Sequence, residues 1–178
     1  SRKTGFSRRQ HPAIQDALNK VDVRWLKQGD EIDLEEATVE VLWPPLDYEP
    51  SNGNNSSLVL LLTLNSGQRL LFPGDMEKQV ENQILDAFKP VDVMLMPHHG
   101  SKTSSTEAFV RKVRYQADQP QTVIAQTGYN NHYGFPKDEV VKRYKEVGSE
   151  IWNTARGAVE ISFAEGSTHH VKQFAVYR

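Results

Sequence analysis

The chain reads as an α/β fold, on three observations. Short apolar runs of strand length alternate with segments whose apolar residues recur at helical spacing. Clusters of Gly, Pro and Asn separate them. Two of the strand-like runs end in compact turns, Pro73-Gly74-Asp75 and Pro97-His98-His99-Gly100, each leading into a helical pattern. Loops at strand ends are where such a layout places its chemistry. At 178 residues and 38% hydrophobic content, residues 1–178 make one domain or part of one, long enough to bury a real core.

Taken in order, residues 1–9 are polar and basic and are expected to be ill-ordered, as is much of 1–20, with a short helix over 12–19. Strands are predicted over 23–27, 38–43 and 57–64. Asn65-Ser66-Gly67-Gln68 supplies a hairpin turn into a strand over 69–72. The connection 44–55 is too polar and Pro-rich for regular structure. After Asp75, the spacing of Val80, Ile84, Leu85 and Phe88 predicts a helix. Asp75 stands where an N-cap belongs. A strand over 91–95 follows, then a helix opened by a Ser104–Glu107 capping box. A strand over 122–126 and a helix carrying Val140, Val141, Tyr144 and Val147 come next, and strands over 151–153, 159–163 and 171–177 close the chain. There are no internal repeats.

Composition removes several classes of function. The net charge of -2 gives no global basic field, so strong nonspecific nucleic-acid binding is not implied. The absence of cysteine excludes a disulfide framework and thiolate metal sites. No apolar run approaches the roughly 20 residues of a membrane span. The chain opens without an initiator Met or a signal-peptide pattern, as a piece of a longer protein would.

A carboxylate, Asp75, at one strand end and an imidazole pair, His98 and His99, at another point to a metal-dependent hydrolase. Adjacent residues point in different directions, so one imidazole faces a metal while the other orients it or meets substrate. The hydroxyl run from Ser101 to Ser105 opens a helix, and a helix N-terminus is a natural phosphate seat. His132 is a third candidate. His11, His169 and His170 read as surface residues. Arg111, Lys112, Arg114, Lys137, Lys142, Arg143 and Lys145 read as solvated helix faces.

These same residues carry a resemblance. Leu71-Phe72-Pro73-Gly74-Asp75, then Asp92-Val93-Met94-Leu95-Met96-Pro97-His98-His99-Gly100-Ser101-Lys102-Thr103-Ser104-Ser105, then Gly128-Tyr129-Asn130-Asn131-His132-Tyr133-Gly134-Phe135-Pro136 follow one another as landmarks do in one family. They resemble the metallo-β-lactamase-like domain at the C-terminus of ComEC, the DNA-uptake channel of natural competence. Asn54-Asn55-Ser56-Ser57-Leu58-Val59-Leu60 is similar to that family's Asn-rich lead into a core strand. The likeness runs from about Trp25 to about Phe163.

The resemblance implies an αββα sandwich with a metal site at the strand edges, here truncated to its C-terminal half. It implies a role in degrading or handling the non-transported DNA strand, on the extracytoplasmic (periplasmic) side of the cytoplasmic membrane. By position, Asp75, His98 and His132 are the expected metal ligands, and Asp75 and His99 the catalytic pair. Ser101, Lys102, Thr103 and Asn131 are expected to bind phosphate. The expected cofactor is Zn or Mn in the parent, with single-stranded DNA and the rest of the channel as partners. Two departures stand out: the superfamily's His-x-His-x-Asp-His motif is absent, and Gly134-Phe135-Pro136 stands where the family commonly has Gly-His-Pro. This chain alone is therefore expected to hold no metal tightly and to be inactive. An exposed sheet face is expected to support self-association. A catalytically inactive DNA-guiding module of the same channel is the alternative, and an unrelated metallohydrolase of small esters is a third reading.

Overall fold

The computed structural model describes residues 16, 20–21, 23–49, 52–114, 120–164 and 169–175. The expectations for 1–15 and for most of the helix over 12–19 lie outside them. Seven strands form one mixed sheet in sequence order: β1 (Glu31–Asp33), β2 (Ala37–Trp43), β3 (Val59–Leu64), β4 (Arg69–Phe72), β5 (Val93–Leu95), β6 (Thr122–Ala125) and β7 (Glu150–Asn153). The first four pair antiparallel and the last four parallel, with β4 belonging to both halves. A hairpin of β8 (Val159–Phe163) and β9 (His169–Gln173) forms a second, two-stranded sheet.

Each parallel step is bridged by a helix: α1 (Lys78–Gln83), α2 (Glu107–Val113) and α3 (Asp138–Glu146). Successive right-handed crossovers between neighbouring parallel strands put their helices on one face. The core agrees with that arrangement. Val80 of α1, Phe109 and Val113 of α2, and Val140 and Tyr144 of α3 share one buried cluster with Val59, Leu61, Leu71, Met94, Val123 and Ala125 of the sheet. The alternate residues Leu60, Leu62, Leu70 and Phe72 point to the other face and are only half-buried. The β8–β9 hairpin is tied to the sheet through His169 Nε2 and Thr122 Oγ1 at 2.8 Å, and through Gln173 Nε2 donating to the Asn153 carbonyl at 2.7 Å.

Several expectations are corrected. Residues 23–27 form no strand; the edge strand is β1, a polar Glu-Ile-Asp triplet that its three-residue length hid from periodicity. It follows a turn at 27–30 in which the Asp30 carboxylate accepts from the Lys27 N–H, and the Val41 N–H donates to the Asp30 carbonyl. The polar connection 44–55 contains the start of a one-turn 3-10 helix, Asn54–Ser56. Asp75 caps nothing, because α1 starts at Lys78 with Glu77 at the N-cap position. The Ser104–Glu107 capping box does not form either. Thr106 caps α2, accepting from the Phe109 N–H, while Ser104 is buried and its hydroxyl donates to the carbonyls of Pro97 and Ser101.

Three residues read as surface are structural instead, among them half-buried Arg114, whose Nε donates to the Val147 carbonyl at 2.7 Å. His169 is half-buried against Thr122. Arg143 reaches back across α2 to donate to the carbonyls of Ser104 and Ser105. Those carbonyls belong to a turn whose N–H groups, at Ser105 and Thr106, donate to the fully buried carboxylate of Glu81. Burial raises the Glu81 pKa, and the two backbone donors and Arg143 offset part of that rise.

Candidate functional site

Three turns meet at the C-terminal ends of β4, β5 and β6. The turn after β4 is drawn tight by Gly74, whose φ of +57° suits a residue without a side chain, and an added Cβ would sit 2.8 Å from the Ser57 Cβ. The Asp75 N–H donates to the Ser57 hydroxyl at 3.0 Å. Buried Asn55 braces the same turn: its Oδ1 accepts from the Glu77 N–H at 3.1 Å, and its Nδ2 donates to Gln79. The Asn-rich stretch is thus a clamp on the Asp75 turn.

After β5, the kinked turn Pro97–Gly100 carries His98 at φ +47° and His99 at φ +55°. Left-handed backbone in consecutive non-glycine residues costs on the order of 1 kcal/mol or more each, and such outliers persist where the surroundings over-determine them. The surroundings here are identifiable. The His98 N–H donates to the Gly74 carbonyl at 3.0 Å, and the Lys78 N–H donates to the Thr103 carbonyl at 2.8 Å, stitching the two turns together. Gly100 lets the third turn close in, and the Lys137 N–H donates to its carbonyl at 2.9 Å.

The result is an open cleft of about 490 Å³. Asp75, His98, His99, Gln126, Thr127, Gly128, Asn131, His132, Tyr133 and Phe135 line it. The structure therefore brings Asp75, both imidazoles of the pair, Asn131 and His132 to one place. Ser101, Lys102 and Thr103 do not line this cleft: Ser101 is buried, and the Thr103 hydroxyl donates to Glu77 at 2.7 Å. Asn131 faces the cleft with its side-chain amide engaged by its own loop, donating to the Phe135 carbonyl and accepting from the Phe135 N–H.

The tautomers follow from the partners. His99 Nδ1 lies 2.7 Å from the Gln126 carbonyl, which can only accept, so Nδ1 carries the proton. In the neutral ring the Nε2 lone pair then faces Asp75 Oδ1 at 3.5 Å. That separation leaves room for a cation shared by the two atoms. Two ligands on one tetrahedral zinc, each roughly 2.1 Å from it, stand about 3.4 Å apart. His98 is held in the same manner. Its Nδ1 lies 3.3 Å from the Thr103 hydroxyl, which spends its proton on Glu77, and 3.5 Å from the Glu77 carboxylate. Both rings are thus oriented through Nδ1 with Nε2 left available, as outer partners orient metal-ligating histidines.

Glu77 is the residue that sequence reasoning missed. Burial pushes its carboxyl up, but donors from Thr103, Asn52 and Asn54 and the nearby His98 outweigh that and leave it below the usual range. A Glu two positions past Asp75 reads only as an ordinary first-turn acid, and its partners come from segments about 25 residues away on either side. Gln126 was equally invisible, since it acts through its backbone. The donor set is short for a catalytic metal: among the described residues no cluster of three or more His, Asp or Glu is placed to hold an ion, whereas catalytic sites normally use at least three protein ligands.

Among known proteins, the chain is 30% identical to ComE operon protein 3 of Bacillus subtilis over 88% of its own length and 19% of that protein's. It is 31% identical to Recombination protein 2 of Haemophilus influenzae, over 64% of this chain and 14% of the relative. It is 26% identical to competence protein ComA of Neisseria gonorrhoeae, over 76% and 20%. No protein-family model matches, and neither does any solved structure. The chain thus spans about a fifth or less of the length of these relatives. It is a ComEC-related protein.

Proposed function

We propose that this chain is the C-terminal part of a metallo-β-lactamase-like domain in a DNA-uptake protein. In this reading it contributes Asp75 and His99 to a divalent-metal site that cleaves phosphodiesters of the non-transported strand. The supporting observation is the pair itself: a carboxylate oxygen and an imidazole lone pair face each other at 3.5 Å in an open cleft, with the ring fixed from behind by a carbonyl. His98 and His132 line the same cleft and are the next ligands in this reading. The remaining ligands come from other parts of the whole protein, whose relatives are about five times longer than this chain. The half-buried second face of the sheet is the side against which the rest of the sandwich, or a second copy, would pack. In this reading, which follows from the resemblance, the domain stands on the extracytoplasmic side; no helix among the described residues is long and apolar enough to cross a membrane.

A second reading has its own observation. Phe135 occupies a cleft position where a further imidazole would be expected, which favours a domain that guides DNA without cutting it. Metal analysis and a nuclease assay with added Mn or Zn separate the two. On the first reading, the 178-residue chain takes up no stoichiometric metal, and a polypeptide extended toward its N-terminus cleaves single-stranded DNA. Asp75→Ala and His99→Ala abolish that cleavage. Binding without cleavage by the extended polypeptide establishes the guiding module instead. Stoichiometric metal on the 178-residue chain would overturn the half-site and make His132 the ligand to examine.

A further inference from the structure

The loop 126–136 that walls the cleft is built of polar residues, glycines and rings, with Pro136 its one aliphatic residue. Tyr129 and Tyr133 are each 61% exposed, and the residues between them are two Asn and a His. The rings continue inward. His132 and Tyr133 have centroids 3.9 Å apart, Tyr133 stacks on Phe135 at 5.5 Å with planes 16° apart, and Phe135 meets His98 edge-on at 6.0 Å. A ladder of four rings therefore leads from the cleft floor to its rim.

The loop is held in shape before any ligand arrives. Asn131 clamps Phe135 through two side-chain hydrogen bonds, Lys137 Nζ donates to the Tyr133 carbonyl, and Lys137 N donates to Gly100. Flat rings fixed in a loop whose one aliphatic residue, Pro136, packs against Gly100 suit a flat, polar-edged ligand better than an apolar protein surface. Bases of a single strand fit that description, because duplex bases are already stacked on each other. The near-neutral chain cannot rely on phosphate attraction for affinity, so stacking would have to supply it.

We propose that Tyr129 and Tyr133 form a stacking platform for unpaired bases, and that it seats single-stranded DNA so that its backbone crosses the Asp75–His99 cleft. This rests on the DNA-handling reading of that cleft. Stacking on an aromatic side chain is sequence-tolerant, so the platform accepts any base sequence.

The test is binding of a fluorescent oligothymidylate of about a dozen nucleotides, within the range one small site covers. An abasic strand of equal length and the corresponding duplex serve as comparisons. Tyr129→Ala and Tyr133→Ala are expected to weaken oligothymidylate binding about 10-fold each, a typical loss per stacked base. Tyr129→Phe and Tyr133→Phe should bind as the parent does. The abasic strand should bind weakly to the parent and the alanine variants alike. Binding of the alanine variants within about twofold of the parent overturns the platform and leaves the DNA-handling reading standing. An abasic strand held as tightly as oligothymidylate does the same. No binding of any strand overturns both and leaves the rings to a protein partner. Tyrosine-dependent binding without cleavage by the extended polypeptide upholds the platform and removes the hydrolytic reading.

Discussion

Gly100 is the residue on which the geometry of the cleft turns, and replacing it with alanine gives a worked test. Its φ is +86°, where an L side chain costs on the order of 1–2 kcal/mol. A Cβ there would also lie 2.5 Å from Pro136 Cβ, 2.7 Å from Met96 Sδ and 2.9 Å from Pro136 Cα. The Met96 thioether can rotate, but Pro136 Cα is backbone, so the clash cannot be relieved by side-chain rotation alone. Overpacking of this kind costs about 1–3 kcal/mol more, for a total of about 2–5 kcal/mol. Gly29 is the matched control: its φ is +85°, and an added Cβ meets nothing within 4 Å. Gly29→Ala should therefore lose only the conformational part, about 1–2 kcal/mol. Urea unfolding of both variants isolates the steric part as their difference. In thermal melts each kcal/mol should appear as roughly 2–4 °C for a chain of this size. If Gly100→Ala is no less stable than Gly29→Ala, the close approach of the His98–His99 turn to Pro136 is wrong, and with it the third wall of the cleft.

Two further outcomes are expected. Asn55→Ala should cost about 1–3 kcal/mol in urea unfolding, because the Glu77 N–H loses its acceptor and the Asp75 turn its brace; an Asn55→Ala chain as stable as the parent would dismiss the clamp. His169 has a lowered pKa, first because burial disfavours its charged form, with His170 adding to this and Asp92 and Glu150 opposing it. The unfolded chain then binds a proton more readily than the folded one, so His169 contributes stability above about pH 6.5 that is lost as pH falls through its lower folded value. His169→Gln should flatten the acid slope of the unfolding midpoint relative to the parent, and identical slopes would refute the burial argument.

Strand and helix order was legible in the chain because each strand from β2 to β8 carries its own local signal. Leu60, Leu61 and Leu62, the Asn65–Gln68 turn and the helical spacing of Val140 and Tyr144 need no distant partner to be read. The strand ends with Gly74-Asp75 and His98-His99-Gly100 were legible for the same reason: local residue types mark a turn and name its chemistry. Caps were not legible. Asp75, Ser104 and Glu107 all fit capping rules, yet Glu77 and Thr106 take the N-cap positions. What displaced the rules was long-range hydrogen bonding, from Ser57 and Asn55 onto one turn and from Glu81 and Arg143 onto the other. The sequence by itself determined that the Asp75 turn and the His98-His99 turn lie at strand ends. Only the tertiary structure decided which nitrogen of each histidine is free, because tautomer and direction are set by the Gln126 carbonyl and by Thr103 and Glu77, acceptors that no local pattern announces.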